Sequence, residues 1–414
     1  MRNKLLIGFL LIIIIFIGTR AALSDTKKKN NDELYKQVEL YSDTMAIIQK
    51  EYVNETKPKD LIYGSLKGML SSLDPHSSFM NPDDYNDLKV DTEGKFGGLG
   101  IEITTKNDLL TIITPIEDTP AWKAGLKPGD HIIKINNELT RQMTLTDAVK
   151  RMRGKPGEAV NLTIMRNSEN KLLEFKIIRD IIKIKDIKHA RILEDKIGYI
   201  RLVEFRSNSL QDFNHALSIL SKQGMQGLII DLRNNPGGLL DVAVKITGKF
   251  IAPNKKIVYT KSRNKDQDLE FYSDAKGTLL SLPLVILINE GSASGSEIMA
   301  GALQDYKRAI IIGSKSFGKG SVQTVIPLGD GSALRLTTSH YFTPSGKIIN
   351  GKGIVPDILV EESKLLEPTK DQVEKTKKLL TNSNETEFDY KNDATLIRAI
   401  NTLRGIVIYK QAGS

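Results

Sequence analysis

Short runs of consecutive apolar residues alternate with segments of helical spacing through the second half of the chain. Runs of this length, bounded by turn residues, predict strands that are buried on both faces of a sheet. The runs lie at 227–233, 282–290 and 309–314, and a further strand is predicted at 196–205. The helical segments between them lie at 209–224, 241–251 and 298–306. Strands joined by helices in this way predict parallel β-α-β crossovers, in which sites form at the carboxyl ends of the strands.

Residues 95–180 have a different pattern, of short strands and two helices, which predicts a compact module of its own. The module begins with a glycine-rich turn, Gly98-Leu99-Gly100-Ile101, that leads directly into a strand. A dinucleotide-binding turn would lead into a helix instead. A glycine-rich loop before a strand edge offers backbone N–H groups to a carboxylate, and the edge accepts an added peptide strand.

Both ends of the chain have the spacing of helices. Residues 32–94 carry helical apolar periodicity, and residues 363–414 are charged and helical. At the start, two basic residues precede an apolar run at 5–18, and small residues follow it. This order is typical of a secretory signal, which we place at 1–23. We expect the signal either to be cleaved or to remain as an anchor in the inner (cytoplasmic) membrane, so that the rest of the chain is exported to the periplasm.

Composition narrows the chemistry. The chain of 414 residues has no cysteine, which excludes disulfides, thiol catalysis and cysteine-bound zinc. Its five histidines are scattered without metal-site spacing, so we expect no metal and no cofactor. The same histidines leave a Ser-His-Asp triad open, because such triads assemble from distant positions. The formal charge of +9 is spread along the chain rather than gathered in a basic arm, and we expect no nucleic-acid partner.

The stretch 283–323 carries the strongest candidate chemistry. A tight turn of small residues at 291–297 places Ser294 at the start of a helix, where backbone N–H groups stabilise an oxyanion. Lys319 follows the next strand among glycines, where desolvation favours the neutral amine that acts as a base. The pair predicts a Ser/Lys hydrolase.

Other interpretations of the same stretch remain open at this point. Ser294 and Glu297 have the S-x-x-E spacing of a helix capping box, which needs no catalytic role. Spacing alone does not choose among Ser292, Ser294 and Ser296 as the nucleophile.

Two further motifs in this stretch match known signatures only in part. Residues 313–319 have the spacing of a P-loop, but a glycine follows where a hydroxyl residue is needed. Ser316 and Lys319 have the S-x-x-K spacing of penicillin-binding enzymes, which would predict acyl transfer to cell-wall peptides. That signature requires a helix, which the glycines on both sides of Lys319 disfavour.

Seven segments, in this order and spacing, resemble the bacterial C-terminal processing peptidases, also called tail-specific or carboxyl-terminal proteases. The resemblance covers nearly the whole chain. The segments are LDPHSSF (73–79), FGGLGIEI (96–103), TPAWKAGLKPGD (119–130), DLRNNPGGLL (231–240), NEGSASGSEIMAGALQD (289–305), SFGKGSVQ (316–323) and YFTPSGKIINGKGIVPD (341–357).

The resemblance implies a mixed α/β fold in which a PDZ domain is inserted ahead of a serine protease core. A helical N-terminal region at 32–94 follows the signal. The PDZ domain, a small β-barrel-like sandwich with two helices, spans 95–180. The protease core at 181–362 contains the β-α-β crossovers, and a helical tail at 363–414 follows it.

The resemblance also implies roles for particular residues. The nucleophile falls on Ser294, the general base on Lys319, and the residue that orients the lysine amine on Gln323. Glu297 is assigned either a supporting role or only the helix cap. The oxyanion hole is assigned to backbone N–H groups of Gly295 and of Gly237 or Gly238. The loop that binds the substrate C-terminus is assigned to Gly98, Leu99, Gly100 and Ile101.

Together these roles imply an exported serine endopeptidase that binds proteins or peptides by their free C-termini and cleaves near them through an acyl-enzyme. Further candidate partners are a second copy of the chain, through the N-terminal helices and the tail, and an adaptor protein. The alternative is a membrane-tethered PDZ scaffold whose hydrolase-like core is inactive.

Overall fold

The computed structural model of the protein describes residues 32–106, 109–116, 118–166, 171–274, 279–360, 390 and 392–412. The chain divides into two compact units, of which the first ends at Asn81 and the second begins at Pro82. The expected signal at 1–23 and the first part of the expected tail lie outside the described residues. Within the described ranges, every helix falls short of the length and apolar character that a bilayer-spanning segment needs.

The first unit contains two helices and a short strand. They are α1 (32–51), α2 (Pro58–Ser71) and β1 (Ser78–Met80). The Tyr41 hydroxyl on α1 lies 2.5 Å from Ser65 Oγ on α2. Many apolar side chains of α1 are exposed, among them Leu34, Tyr35 and Val38. The prediction of a helical N-terminal part is confirmed.

The second unit contains helices from Pro82 onward and several sheets. Its helices are α3 (Pro82–Glu93), α4 (Pro120–Lys123), α5 (Leu145–Met152), α6 (Ser209–Lys222), α7 (Leu240–Gly248), α8 (Gly295–Asp305) and α9 (Ala394–Ala412). Its strands are β2 (Lys95–Gly98), β3 (Ile101–Lys106), β4 (Leu109–Pro115), β5 (His131–Ile135), β6 (Glu138–Leu139), β7 (Ala159–Arg166), β8 (Lys171–Ile178), β9 (Asp180–Lys183), β10 (Ile187–Ile192), β11 (Ile197–Leu202), β12 (Gly227–Asp231), β13 (Lys256–Ser262), β14 (Glu270–Tyr272), β15 (Leu284–Ile288), β16 (Ile310–Gly313), β17 (Ser321–Pro327), β18 (Ala333–Phe342) and β19 (Ile358–Leu359).

The small module forms an antiparallel sheet with strand order β3-β4-β5-β7-β8, with β6 paired to β5. Its core is made of side chains that alternate along the strands, such as Val160, Leu162 and Ile164 on β7. Strand β3 is at the edge of this sheet, and β2 pairs separately with β9. An edge strand has unpaired backbone groups, so β3 can accept an added strand.

The large sheet has strand order β10-β11-β12-β15-β16-β19, and all its pairs beyond β10-β11 are parallel. Both faces are covered, which explains the continuous apolar runs in the sequence. One face packs in a cluster with residues of α6, α7 and α8, through side chains such as Ile230 and Ile286. The other face packs against α9, through Tyr199, Val285 and Leu287. The predicted β-α-β crossovers and mixed α/β fold are confirmed.

Helix α9 is anchored to this sheet by charge as well as by apolar packing. Arg233, just after β12, pairs with Asp231 and with Asp393, each at 2.7 Å. The Tyr199 hydroxyl donates to the same Asp231 carboxylate at 2.8 Å. The buried apolar side chains of α9, among them Leu396, Ala399 and Leu403, thus pack on the chain's own sheet.

A second antiparallel arrangement carries the segment that follows the candidate lysine. Strand β18 pairs with β17 and with β13, and β13 pairs with β14. Strands β13 and β14 were not predicted from the sequence. The Tyr341 N–H in β18 donates to the Gly320 carbonyl at 2.7 Å, so this arrangement is tied to the residue directly after Lys319.

Candidate active site

Ser294 lies in the turn between β15 and α8, at the carboxyl end of a central strand of the large sheet. Its φ of 52° is positive, a region that residues other than glycine seldom occupy. The turn is held on both sides, because the Ser294 N–H donates to the Glu297 carboxylate and the Ser294 carbonyl accepts from the Ile298 N–H. Backbone strain of this kind persists where surrounding contacts enforce it, and it concentrates at functional sites.

The three candidate serines of this turn differ in what their hydroxyls contact. Ser292 Oγ donates to the Leu232 carbonyl at 2.8 Å, and Ser296 Oγ donates to the Asn235 carbonyl at 3.0 Å. Both of these side chains are fully buried. Ser294 instead lines a cleft of about 560 Å³. Of the three hydroxyls, that of Ser294 is therefore the one placed to meet a substrate.

Lys319 and Gln323 line the same cleft as Ser294. The other lining residues include four with apolar side chains and two with acidic side chains. They are Leu239, Leu240, Phe271, Val322, Glu204 and Asp241. No histidine of the described residues lines this cleft, so the Ser-His-Asp alternative has no base at this place.

Glu297 joins the segment of the candidate nucleophile to the segment of the candidate base. Its side chain is completely buried, and its carboxylate accepts four hydrogen bonds. Oε2 accepts from the backbone N–H groups of Ser294 and Lys319, each at 2.9 Å. Oε1 accepts from the Gly318 N–H at 2.7 Å and from Ser316 Oγ at 2.5 Å. Glu297 therefore caps the helix and also fixes the loop that carries the lysine.

The environment of Lys319 favours its neutral form. The side chain is half-buried, and this burial lowers the pKa of the amine. The Arg335 guanidinium lowers the pKa further, whereas the Glu297 carboxylate raises it. Within the part of the chain that the structure describes, no carboxylate forms an ion pair with the amine. A lysine in these surroundings is suited to act as a base.

The turn after β12 lies directly against the Ser294 turn, at the carboxyl ends of two neighbouring parallel strands. The Asn289 amide ties the turns together, since its Oδ1 accepts from the Asn234 N–H at 2.8 Å and its Nδ2 donates to Asn234 Oδ1 at 3.0 Å. Gly237 approaches so closely that a Cβ on it would lie 2.7 Å from the Gly295 nitrogen. Only glycine fits at this contact.

The two glycines that the sequence left open as oxyanion donors are not equivalent. The Gly237 N–H donates to Asn235 Oδ1 at 2.9 Å and is thereby occupied. The Gly238 N–H makes no hydrogen bond to the described residues, and Gly238 lines the cleft. The Gly295 N–H, at the first position of α8, is likewise without an acceptor among them. The geometry favours Gly295 and Gly238 as the pair that would face an oxyanion.

Gln323 lies in the cleft but does not contact the lysine amine as the sequence suggested. Its amide nitrogen donates to Ser321 Oγ at 2.8 Å and to Thr337 Oγ1 at 3.4 Å. Among the described residues, no hydrogen bond joins Gln323 to Lys319. The group expected to orient the base is thus engaged with neighbouring hydroxyls in this structure.

The two partial motifs of the same stretch have structural roles. Ser316 is buried, and its hydroxyl donates to Glu297 and accepts from the Ile354 N–H at 2.6 Å. The chain from β16 to β17 is an irregular loop without a helix. Neither the S-x-x-K nor the P-loop interpretation has the helix that its chemistry requires.

Two charged or polar groups near Ser294 and Lys319 were missed by sequence reasoning. Tyr341 lines the cleft, and it opens the segment 341–357, for which the resemblance gave no role. Arg335, on β18, lowers the pKa of the Lys319 amine, and nothing in its local sequence distinguishes it from other cations on strands.

A second cleft, of about 400 Å³, lies between the edge strand β3 and helix α5. The Gly100 carbonyl accepts from the Ile116 N–H at 2.9 Å, and a Cβ at Gly100 would lie 2.3 Å from Thr119. Its φ of 79° also favours glycine. All four residues of the predicted carboxylate-binding loop line this cleft, namely Gly98, Leu99, Gly100 and Ile101.

Comparison with known proteins gives matches to three families. Peptidase family S41 is matched by residues 196–360, and the PDZ domain by residues 97–177. Residues 17–84 match the activating protease CtpB N-terminal domain.

Individual relatives extend over most of the chain. A carboxy-terminal-processing protease of Bartonella bacilliformis is 46% identical over 338 residues, which cover 80% of this chain and 77% of that protein. A probable CtpA-like serine protease of Staphylococcus epidermidis is 35% identical over 356 residues, covering 86% of this chain and 72% of the relative. Among solved structures, a photosystem II D1 C-terminal processing protease is 30% identical with a TM-score of 0.46, covering 76% of this chain and 85% of the other.

Proposed function

Because the chain belongs to the carboxy-terminal-processing proteases of peptidase family S41, we propose that it binds free protein C-termini in its PDZ cleft and cleaves near them with a Ser294/Lys319 dyad. The protein is a serine-type peptidase that carries a PDZ domain, and its substrates are proteins or peptides. The observation that carries the proposed dyad is the Glu297 carboxylate, which holds the backbone of both Ser294 and Lys319 at one cleft.

In the proposed reaction, neutral Lys319 takes the proton of the Ser294 hydroxyl as the oxygen attacks the scissile carbonyl. The carbonyl oxygen becomes an oxyanion, which the N–H groups of Gly295 and Gly238 stabilise. The protonated lysine then gives its proton to the leaving amine, and the acyl-enzyme forms. Water hydrolyses the ester with the lysine acting again as base.

The experiment that tests the proposal is incubation of the purified protein with candidate exported proteins, followed by mass spectrometry of their C-termini. We expect truncated C-termini with the wild-type protein and none with Ser294→Ala. Ser292→Ala is the matched control, because its hydroxyl is bound to a backbone carbonyl away from the cleft. Intact C-termini with the wild-type protein would favour the inactive PDZ scaffold. Cleavage by Ser294→Ala would exclude Ser294 as nucleophile.

The PDZ cleft is proposed to bind the substrate carboxylate on the loop of Gly98 to Ile101, with the substrate strand added to β3. A peptide that ends in an amide in place of a free acid is expected to raise KM by about 10- to 100-fold, because charge-assisted hydrogen bonds to the loop are lost. The kcat value is expected to change little. The measurement is steady-state kinetics on two peptides that differ only at this group.

The same comparison is made in two glycine variants. Gly100→Ala is expected to remove most of the difference between acid and amide, because its Cβ would collide with Thr119. Gly129→Ala is the matched control, since Gly129 also has a positive φ but no atom near the position of the added Cβ. Equal KM values for the acid and the amide with the wild-type protein would contradict a carboxylate site at this loop.

The location and assembly of the protein are also proposals. Export to the periplasm, with or without a retained anchor in the inner membrane, rests on the sequence of residues 1–23 alone. Self-association is proposed through the first unit, where α1 has exposed apolar side chains such as Leu34 and Val38.

A further inference from the structure

Tyr341 has its backbone fixed relative to the proposed base. It lies in β18, where it is opposite Thr260 of β13. On its other side its N–H donates to the Gly320 carbonyl at 2.7 Å, and Gly320 directly follows Lys319. A side chain that starts from a strand paired in this way has little freedom to leave the cleft.

The side chain of Tyr341 is buried in the cleft that holds the proposed nucleophile. Only 5% of the residue is exposed, and it lines the cleft together with Ser294 and Lys319. The Ser294 side chain acts on its phenol and lowers the phenol pKa, against the larger effect of burial. Burial raises the pKa of Tyr341, which favours the protonated phenol, and lowers the pKa of Lys319, which favours the neutral amine.

A serine that gives its proton to a lysine needs its O–H to point at the amine. In a Ser-His-Asp triad, a third group orients the base. Here no hydrogen bond joins Gln323 to Lys319 among the described residues, and the Gln323 amide nitrogen is bound to Ser321 and Thr337. Orientation from the side of the nucleophile would meet the same requirement.

We propose that Tyr341 is a positioning residue that donates its phenolic O–H to Ser294 Oγ and thereby turns the serine proton toward Lys319. This inference rests on the proposed dyad and adds a third member to it. Tyr341 keeps its own proton throughout. As the bond from Ser294 Oγ to the substrate carbon forms, the serine proton passes to Lys319 Nζ and the carbonyl electron pair moves to the oxyanion.

The test is Tyr341→Phe, which retains the ring and removes only the hydroxyl. We expect kcat on a free-acid tail peptide to fall by about 10- to 100-fold, the effect of losing one oriented hydrogen bond, with KM within about twofold of wild type. The second-order rate at which a fluorophosphonate probe labels Ser294 is expected to fall by a similar factor. Binding of the tail peptide to the PDZ cleft is expected to remain, which verifies the fold.

Tyr259→Phe is the matched control. Tyr259 belongs to the neighbouring strand β13, and its ring stacks on Phe342 with centroids 5.1 Å apart, away from the residues that line the cleft. Removal of the Tyr259 hydroxyl is expected to leave kcat and the rate of labelling unchanged. Wild-type kcat and labelling in Tyr341→Phe, or a rise in KM alone, would overturn the positioning role. Failure of the dyad itself is distinguishable, because it would show as turnover by Ser294→Ala.

Discussion

Alanine in place of Lys319 is expected to reduce kcat by about 10³-fold or more, while tail peptides still bind the PDZ cleft. Loss of a general base has an effect of this size, and the described residues that line the cleft include no second amine and no imidazole. The measurement is single-turnover cleavage of a tailed peptide, together with direct binding of the same peptide. Lys315→Ala, in the same loop but exposed, is the matched control and is expected to retain wild-type kcat.

The variant Lys319→Arg distinguishes a role of Lys319 as a general base from a role as a positive charge. Arginine keeps a positive charge in the cleft but does not lose a proton at accessible pH. If the lysine acts as a base, this variant is expected to be as inactive as the alanine variant. Wild-type turnover by Lys319→Arg would mean that the residue acts only as a cation, and the proposed mechanism would be wrong.

The pH dependence of kcat follows from the same group. The amine must be neutral to act, so activity is expected to rise as the pH increases through the Lys319 pKa. Burial and Arg335 lower that pKa from its ordinary 10.5, which places the rise below the pH at which an exposed lysine titrates. A plot of kcat against pH for a free-acid peptide measures this pKa. A rise in kcat only near the ordinary lysine pKa would contradict the proposal that the base is desolvated.

Glutamine in place of Glu297 is the substitution with the second-largest expected effect. A glutamine side chain has one acceptor oxygen and one NH₂ group. The NH₂ group is a donor, so it would face N–H and O–H groups whose hydrogen bonds the carboxylate now accepts. We expect kcat to fall by about 10²-fold and the free energy of unfolding to fall by about 2–5 kcal/mol, because buried donors lose their partners. Kinetics on a tail peptide and denaturant unfolding measure the two effects.

The alternative for Glu297, a helix cap without a catalytic link, predicts a different pair of results. Loss of a cap alone costs about 1 kcal/mol and would leave kcat in the folded protein near wild type. Glu290→Gln is the matched control, since Glu290 is exposed in the same turn and contacts Ser314 at the surface. An unchanged kcat in folded Glu297→Gln would reduce the residue to its capping role.

The strands and helices that carry the site could be predicted from sequence because their burial is local in pattern. The run 284–288 is apolar at every position, since both faces of its strand are covered. Strands β13 and β14 were missed, because the residues of β13 at 256–262 are mixed in polarity and form no such run.

The choice among the serines could not be made from spacing, because it depends on contacts with distant parts of the chain. Ser292 and Ser296 bind carbonyls at Leu232 and Asn235, about 60 residues earlier. The choice between Gly237 and Gly238 likewise depends on the direction of the Asn235 side chain. Such contacts appear only when parallel strands bring separate turns together.

The dual role of Glu297 was only half visible in the sequence. Its capping of the Ser294 helix has a three-residue spacing that can be recognised. Its bonds to Gly318 and Lys319 cross more than twenty residues and follow no local pattern.

Helix α9 has a consequence for when the peptidase becomes competent during its synthesis. It supplies one wall of the hydrophobic core, and Asp393 reaches back 160 residues to Arg233, next to the turn that carries the oxyanion glycines. A nascent chain that has emerged only as far as β19 has every proposed catalytic group but leaves Tyr199, Val285 and Leu287 open to water. We therefore expect the peptidase to become active only once α9 has packed on this sheet.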